Sequence, residues 1–342
     1  MLGLSATRAR WTAAALVVLL AAAFGGAMLF AAHEHEARDA FADSDPPPDL
    51  PDRFYPPQGW SWGLVALGDG LERRYGVGAP ATVAQAQILI LPDYGETAET
   101  WFETARDLTG AGFTVWVLEG AGQGGSARLA GRRDLGHVTG FDGDVAAVRA
   151  FSETVIRPGP RRPLVLLGEG VGALVAARAV EAGLRPAVVI LSAPDCATPP
   201  SYDALRFVGL GETRAGSGKA WSRDSPDDSA AHRTHDAWRG AVTHHWQLAN
   251  PDLRMGGPSV AWNAALDQLH SHTAGHTPLP VPTVSLNGAC LEPLASTRIV
   301  IPGAGPALEL EDDAHRASWL RPIEVAAHQA SQAQKSAAAH AP

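Results

Sequence analysis

Residues 163–183 read PLVLLGEGVGALVAARAVEAG: an apolar run, three closely spaced glycines, then a stretch rich in Ala, Leu and Val. Residues 163–167 (PLVLL) are apolar at every position after the proline, which suits a strand buried on both faces. Residues 172–182 have the composition of a helix. Between them lies Gly168-Glu169-Gly170-Val171-Gly172. A strand that turns this sharply into a helix needs small side chains two residues before and two residues after the apex, where Gly168 and Gly172 stand. Its apex needs a backbone of positive φ, which glycine adopts without steric penalty. The spacing is that of the G-x-S-x-G nucleophile elbow, with Gly170 at the serine position. Glycine has no Oγ, so the shape is kept and the nucleophile is absent. A dinucleotide fingerprint would sit at the first strand–helix turn and be followed by an acid at the end of the next strand. Here the turn comes late, and the next strand ends Ser192-Ala193-Pro194.

The same alternation extends outward in both directions. Residues 86–91 (AQILIL) form an apolar strand closed by Pro92-Asp93-Tyr94-Gly95. Residues 99–108 have helical spacing, with Trp101, Phe102, Ala105 and Leu108 on one side. Strands are expected at 113–118, 186–191, 281–286 and 298–301, with a helix at 140–156. This predicts an α/β fold with a mostly parallel sheet covered by helices on both faces, over residues 60–332. Residues 196–277 break the pattern: they lack apolar strand runs, hold Trp221, Trp238, Trp246 and Trp262, and read as an insertion. A final amphipathic helix covers 313–330, kinked or restarted at Pro322, and residues 333–342 read as a disordered tail.

The N-terminus has a different character. Residues 11–32 are 22 uncharged, mostly apolar residues, about 33 Å as a helix, against a bilayer core of roughly 30 Å. Arg8 and Arg10 precede the run, and His33, Glu34 and Glu36 follow. The charge bias predicts a single-pass signal anchor in the inner (cytoplasmic) membrane, with everything after residue 32 on the outer, periplasmic side. A cleavable signal peptide, whose apolar region is shorter, and a buried soluble helix are the alternatives. Residues 33–59 carry Pro46, Pro47, Pro48, Pro51, Pro56 and Pro57 and read as an extended spacer.

The chain has 342 residues, 46% of them hydrophobic and 18% charged, and a net charge of −9. That balance supports a large core and argues against a nucleic-acid partner. Export allows Cys196 and Cys290 to be either a disulfide or two unpaired thiols. Residues His232, His235, His244, His245, His270, His272 and His276 crowd the insertion, but no metal-binding spacing such as H-E-x-x-H links them. They read as solvated surface histidines, so no metal and no cofactor is expected. Ser126 reads as a loop-capping residue. Glu169 is expected behind the turn, pointing away from any pocket.

GLERRYGV at 70–77 and AQILILPDYGETAETWFETARDLTGAGFTVWVLEGAGQGGS at 86–126, with GHVTGFDGDVAAVRAF, NPDLRMGGPSVAWNAAL and TRIVIPGAGPALELEDDAHRASW further on, resemble the α/β-hydrolase superfamily. The likeness is to the group of lysophospholipases, monoacylglycerol lipases and serine aminopeptidases, and it runs from about residue 71 to 321. It implies an α/β-hydrolase fold with a helical cap at about 196–277 and an acyl-ester or lysolipid ligand. Carried over by position, it places Gly170 at the catalytic serine, Cys290 at or near the aspartate, and Pro306 at the histidine. None of the three can do the job of the residue it replaces. Val171, at a helix N-terminus, and Tyr94 are expected to keep the backbone donors of the oxyanion hole. In that fold the strands at 186–191 and 281–286 are parallel neighbours, which brings Cys196 and Cys290 within reach of a disulfide across the mouth of the old site. Two functions stay open: a catalytically silent protein binding an acyl or lysolipid ligand or a protein partner, and a working hydrolase with a rebuilt site.

Overall fold

The computed structural model describes residues 3–33, 39–194, 196–197, 202–216, 218–224, 233–273 and 277–339. Its strands are β1 (Ser61–Ala66), β2 (Glu72–Gly78), β3 (Gln87–Leu91), β4 (Thr114–Leu118), β5 (Leu164–Glu169), β6 (Val188–Ser192), β7 (Thr283–Leu286) and β8 (Thr297–Ile299). They form one sheet in the order β1-β2-β4-β3-β5-β6-β7-β8. The β1–β2 and β2–β4 pairs are antiparallel, and β3 to β8 are parallel throughout. The helices are α1 (Gly3–His33), α2 (Phe102–Gly110), α3 (Asp142–Phe151), α4 (Val171–Glu181), α5 (Asp203–Phe207), α6 (Ala237–Ala249), α7 (Val260–Thr273) and α8 (Asp313–Ala339).

Strands β3, β5 and β6 are buried at every residue, which is why their sequences are apolar without alternation. Successive side chains point to opposite faces. Leu89, Leu91 and Leu166 pack with Val171 and Leu174 of α4 and Phe151 of α3. On the other face Ile88, Ile90, Val165 and Leu167 pack with Leu108 of α2 and Trp319 and Ile323 of α8. At roughly 1.5–3 kcal/mol for each fully buried side chain of this size, the two faces supply the main stabilisation, and the turns at the carboxyl edge are held on a rigid base.

Strands β1 and β2 are less evident in the sequence because β2 carries charge in its interior. Arg73 bonds Asp144 at 2.9 Å and both carboxylate oxygens of Asp69. Arg74 is fully buried and bonds Glu99 at 2.8 and 2.7 Å and Glu119 at 3.0 and 2.6 Å, with Trp62 stacked 4.4 Å away. Ser126 acts inside this network, accepting from the Arg74 N–H and donating to the Glu119 carbonyl.

Two expectations are corrected. Residues 39–59 are no free spacer. Leu50 and Phe54 are buried beside Trp246, the Phe41 N–H donates to the Gly125 carbonyl, and Asp45 exchanges two hydrogen bonds with Asn250. The prolines suit this strap because its apolar side chains, not a backbone ladder, hold it down. The packed domain therefore begins well before residue 60. The last helix runs through Pro322 to Ala339, beyond the expected fraying point, because its alanine-rich end has high helix propensity. Among the described residues no helix is long and apolar enough to cross a membrane. The side chains described in α1 are those of residues 11–26, and its large apolar groups, from Trp11 to Phe24, stand exposed.

The insertion supplies α5, α6 and α7. Its start is fastened to the sheet edge by a disulfide between Cys196 and Cys290, whose Cα atoms are 5.6 Å apart.

Candidate functional site

The turn from β5 into α4 has the tight geometry that its glycines suggest. Gly170 has φ +53° and ψ −119°. A Cβ on Gly168 would lie 2.4 Å from the Gly172 carbonyl oxygen, and one on Gly172 would lie 2.1 Å from that of Leu91. Both positions are closed to any other residue. The Gly170 N–H donates to the Ser192 carbonyl at 3.1 Å, which fixes the apex against β6.

The space above the apex belongs to Asp93. A Cβ on Gly170 would fall 2.1 Å from Asp93 Cγ and 2.1 Å from its Oδ1. The Val171 N–H, expected to serve an oxyanion, donates instead to Asp93 Oδ1 at 2.8 Å. The helix N-terminus thus binds an anion, and that anion is the chain's own carboxylate. Tyr94 packs with the cap: its ring meets Trp262 edge-on at 4.7 Å, and its hydroxyl donates to the Gly256 carbonyl at 2.8 Å.

Arg233 closes the arrangement from the cap side. It reaches Asp93 Oδ2 at 3.3 Å and Glu96 Oε1 at 3.2 Å. Its carbonyl accepts from the Ala307 N–H at 3.1 Å, so the residue that ties down the loop carrying Pro306 also delivers a guanidinium over the apex. Burial disfavours the Arg233 charge, but Asp93, Glu96, Glu309 and Glu169 outweigh it and hold the group protonated.

Beneath Arg233 lie three buried glutamates. Glu96, Glu169 and Glu309 are each at most 2% exposed. Burial pushes the Glu169 carboxyl up to about 8, with Ser192 opposing and the charges of Glu96 and Asp93 adding to the rise. Burial also raises Glu309 well above the usual range, helped by Glu169 and opposed by Arg233. Glu96 is raised by burial and by Glu309, against Arg233, while its Oε2 accepts from the Asp93 N–H and the Trp101 indole at 3.1 Å each. Both oxygens of Glu169 and of Glu309 are buried away from solvent. An ionised carboxylate would be costly there, whereas a protonated one needs less solvation. The site therefore combines a guanidinium-paired carboxylate at the nucleophile position with buried carboxyls around it whose ionisation burial opposes.

The expected site residues come together in part. Gly168, Gly170, Gly172 and Val171 form the turn, whereas Cys290 is held by Cys196, and its N–H points to the Cys196 sulfur at 3.3 Å. Glu169, expected behind the turn, instead joins Glu96 and Glu309 in the buried cluster under Arg233. Arg233, Glu96 and Glu309 escaped the sequence reading, because no local spacing joins Arg233 to Glu96 and Asp93, 137 and 140 positions away. Asp93 had a signal in the Pro92-Asp93-Tyr94-Gly95 turn that closes the strand at 86–91. Of the insertion's histidines, His244 stacks on Trp221 and His245 on Trp238. His235 instead meets the Glu311 carboxylate at 2.9 Å. His232 and His276 lie outside the described residues. A cavity beside the turn, lined by Leu91, Phe141, Val148, Val171 and Val175, holds about 30 Å³, enough for ordered water.

Comparison with known proteins agrees with this architecture. Lysophospholipase L2 of Escherichia coli strain K12 is 28% identical over 186 residues, covering 51% of this chain and 54% of that protein; the match spans about half the length of the relative. A soluble variant of monoglyceride lipase from Saccharomyces cerevisiae superposes with a TM-score of 0.59 at 15% identity, covering 84% of this chain and 99% of that one. A thermostable carboxyl esterase from Bacillus coagulans gives 0.60 at 16% identity, covering 78% and 97%. These two likenesses establish the α/β-hydrolase fold. Residues 82–271, more than half of the sequence, match the family described as serine aminopeptidase, S33, and the chain belongs to that family.

Proposed function

We propose that this chain is a membrane-tethered member of the family that does not hydrolyse esters. In this reading it binds an acyl or lysolipid-type molecule, or a protein partner, through its cap. The observation that carries the reading is Asp93: its carboxylate fills the volume a serine side chain would need and takes the Val171 N–H. With Gly170, Cys290 and Pro306 at the triad positions, nucleophile, base and orienting acid are missing together, and removing one alone costs roughly four to six orders of magnitude in rate. The ligand class follows the lysophospholipase and monoglyceride lipase likenesses. The cap offers apolar contact, with Phe207 92% and Val208 56% exposed at the end of α5. The purified protein should show no turnover of acyl esters above background and no labelling by a fluorophosphonate, while retaining lysolipid binding. Saturable ester turnover, lost on mutation of Asp93, would overturn the silent reading.

That outcome would favour a second reading, a rebuilt hydrolase. The observation behind it is the Arg233-paired Asp93 carboxylate beside Glu169 and Glu309, whose ionisation burial opposes, since carboxyl groups driven apart in their titration are the raw material of acid–base catalysis.

The tether rests on α1, whose large apolar side chains from Trp11 to Phe24 stand exposed and so call for an apolar surrounding. A reporter fused after residue 45 should be active only if it works in the exported compartment. Activity of a cytoplasm-dependent reporter there would remove both the tether and the orientation.

A further inference from the structure

We propose that His235, Glu311, Asp312 and His315 form a binding site for one divalent transition-metal ion, with zinc the best match to the donors. Each residue offers one nitrogen or oxygen, and the four atoms lie within 4.8 Å of one another. In a tetrahedral zinc site with bonds of ~2.0–2.2 Å, ligand atoms stand roughly 3.3–3.5 Å apart. Small side-chain rotations therefore bring this set onto a common centre. Two imidazoles with two carboxylates suit zinc and its transition-metal neighbours, whereas calcium and magnesium prefer oxygen alone.

The donors are held in advance by the backbone. The Glu311 carboxylate accepts from the Gly305 N–H, from the Asp312 N–H at 3.0 Å and from the His235 N–H at 3.2 Å. Asp312 Oδ1 caps α8, accepting from Ala314 and His315 N–H at 3.1 and 3.0 Å. The two rings stack with centroids 5.6 Å apart and planes at 25°. Their Nδ1 atoms each lie 2.9 Å from a carboxylate, His235 on Glu311 and His315 on Asp312.

Charge supplies an independent argument. The Glu311 side chain is completely buried, and among the described residues no lysine or arginine pairs with it or with Asp312. The nearby Arg239 gives its hydrogen bonds to the Glu311 backbone carbonyl, Glu103, Asp236 and Asp313. Arg233 is committed to Asp93 and Glu96. A buried carboxylate among imidazoles, with every guanidinium turned elsewhere, is a seat for a cation. A metal here would tie the far part of the insertion to the start of α8, beside the loop that carries Pro306, while the disulfide ties the insertion's beginning.

Tag-free full-length protein in detergent, stripped with a chelator, tests this by titration with zinc and with cobalt. The expected result is one equivalent of zinc per chain, a tetrahedral cobalt absorption spectrum displaced by zinc, and a higher melting temperature with zinc. His235→Ala and His315→Ala should each weaken binding by about 10–100-fold and abolish the thermal shift, while His244→Ala leaves both unchanged. Metal-free melting curves of the variants establish that they fold. Absence of stoichiometric binding by the folded wild type would overturn the proposal, as would undiminished binding by the His235→Ala/His315→Ala double variant.

Discussion

Gly170→Ser, the change that would return a hydroxyl to the elbow, is expected to destabilise the protein by roughly 3–8 kcal/mol and to leave ester hydrolysis at background. Three costs add. The apex has φ +53°, where an L side chain costs ~1–2 kcal/mol. The new Cβ would lie 2.1 Å from Asp93 Cγ, and overpacking of this kind costs ~1–3 kcal/mol. Moving Asp93 aside would strip the Val171 N–H and Arg233 of a partner, at ~1–3 kcal/mol for the buried group left unmet. At ~2–4 °C per kcal/mol for a domain of this size, melting should fall by about 6 °C or more. Adding Asp93→Gly to Gly170→Ser should recover part of that loss, because the clash disappears with the carboxylate. Neither variant should gain turnover, since Pro306 and Cys290 provide no base and no orienting acid. A Gly170→Ser protein that melts within ~2 °C of the wild type, or that hydrolyses esters, would show that Asp93 does not occupy the apex.

The same residues explain what could be read from the sequence. The strand–turn–helix at 163–183 was legible because burial on both faces forces an unbroken apolar strand, and close approach of Gly168 and Gly172 to backbone carbonyls forces glycine. Such constraints act locally and leave a local signature. The strap at 39–59 was misread because proline content reports stiffness, while its packing depends on Leu50 and Phe54 finding Trp246 nearly 200 residues away. The core of the site was hidden for the same reason. Asp93 and Arg233, or His235 and Glu311, are individually ordinary surface residue types, and only the fold makes them partners. The vacancy at Gly170 could be seen in one dimension, but the group that fills it could not.

The buried acids should make stability fall as the pH rises. A carboxyl whose folded-state pKa is raised holds its proton in the native state over a range where the unfolded chain has released it. The stabilisation is then fully present below the unfolded value, 4.5 for Glu169, and is lost as the pH climbs through the folded value of about 8. At ~1.4 kcal/mol per tenfold, these two values set an upper figure of roughly 5 kcal/mol lost from Glu169 well above pH 8. Glu96 and Glu309 are shifted in the same direction and steepen the decline. Asp93 and Arg233, which face the same cluster, act against one another: the aspartate charge raises Glu169 and the guanidinium lowers Glu96 and Glu309. Gln resembles a protonated Glu in size and polarity but cannot ionise. Glu169→Gln should therefore match the wild type at pH 5 and exceed it by several kcal/mol at pH 9, and Glu309→Gln should behave likewise. The double variant should gain less than the sum of the two, because each glutamate's charge raises the cost of the other's. Chemical denaturation of the three variants and the wild type from pH 5 to 9 measures all of this. Parallel pH profiles for wild type and Glu169→Gln would mean that Glu169 ionises without penalty, and that the chamber under Arg233 is open to water in solution.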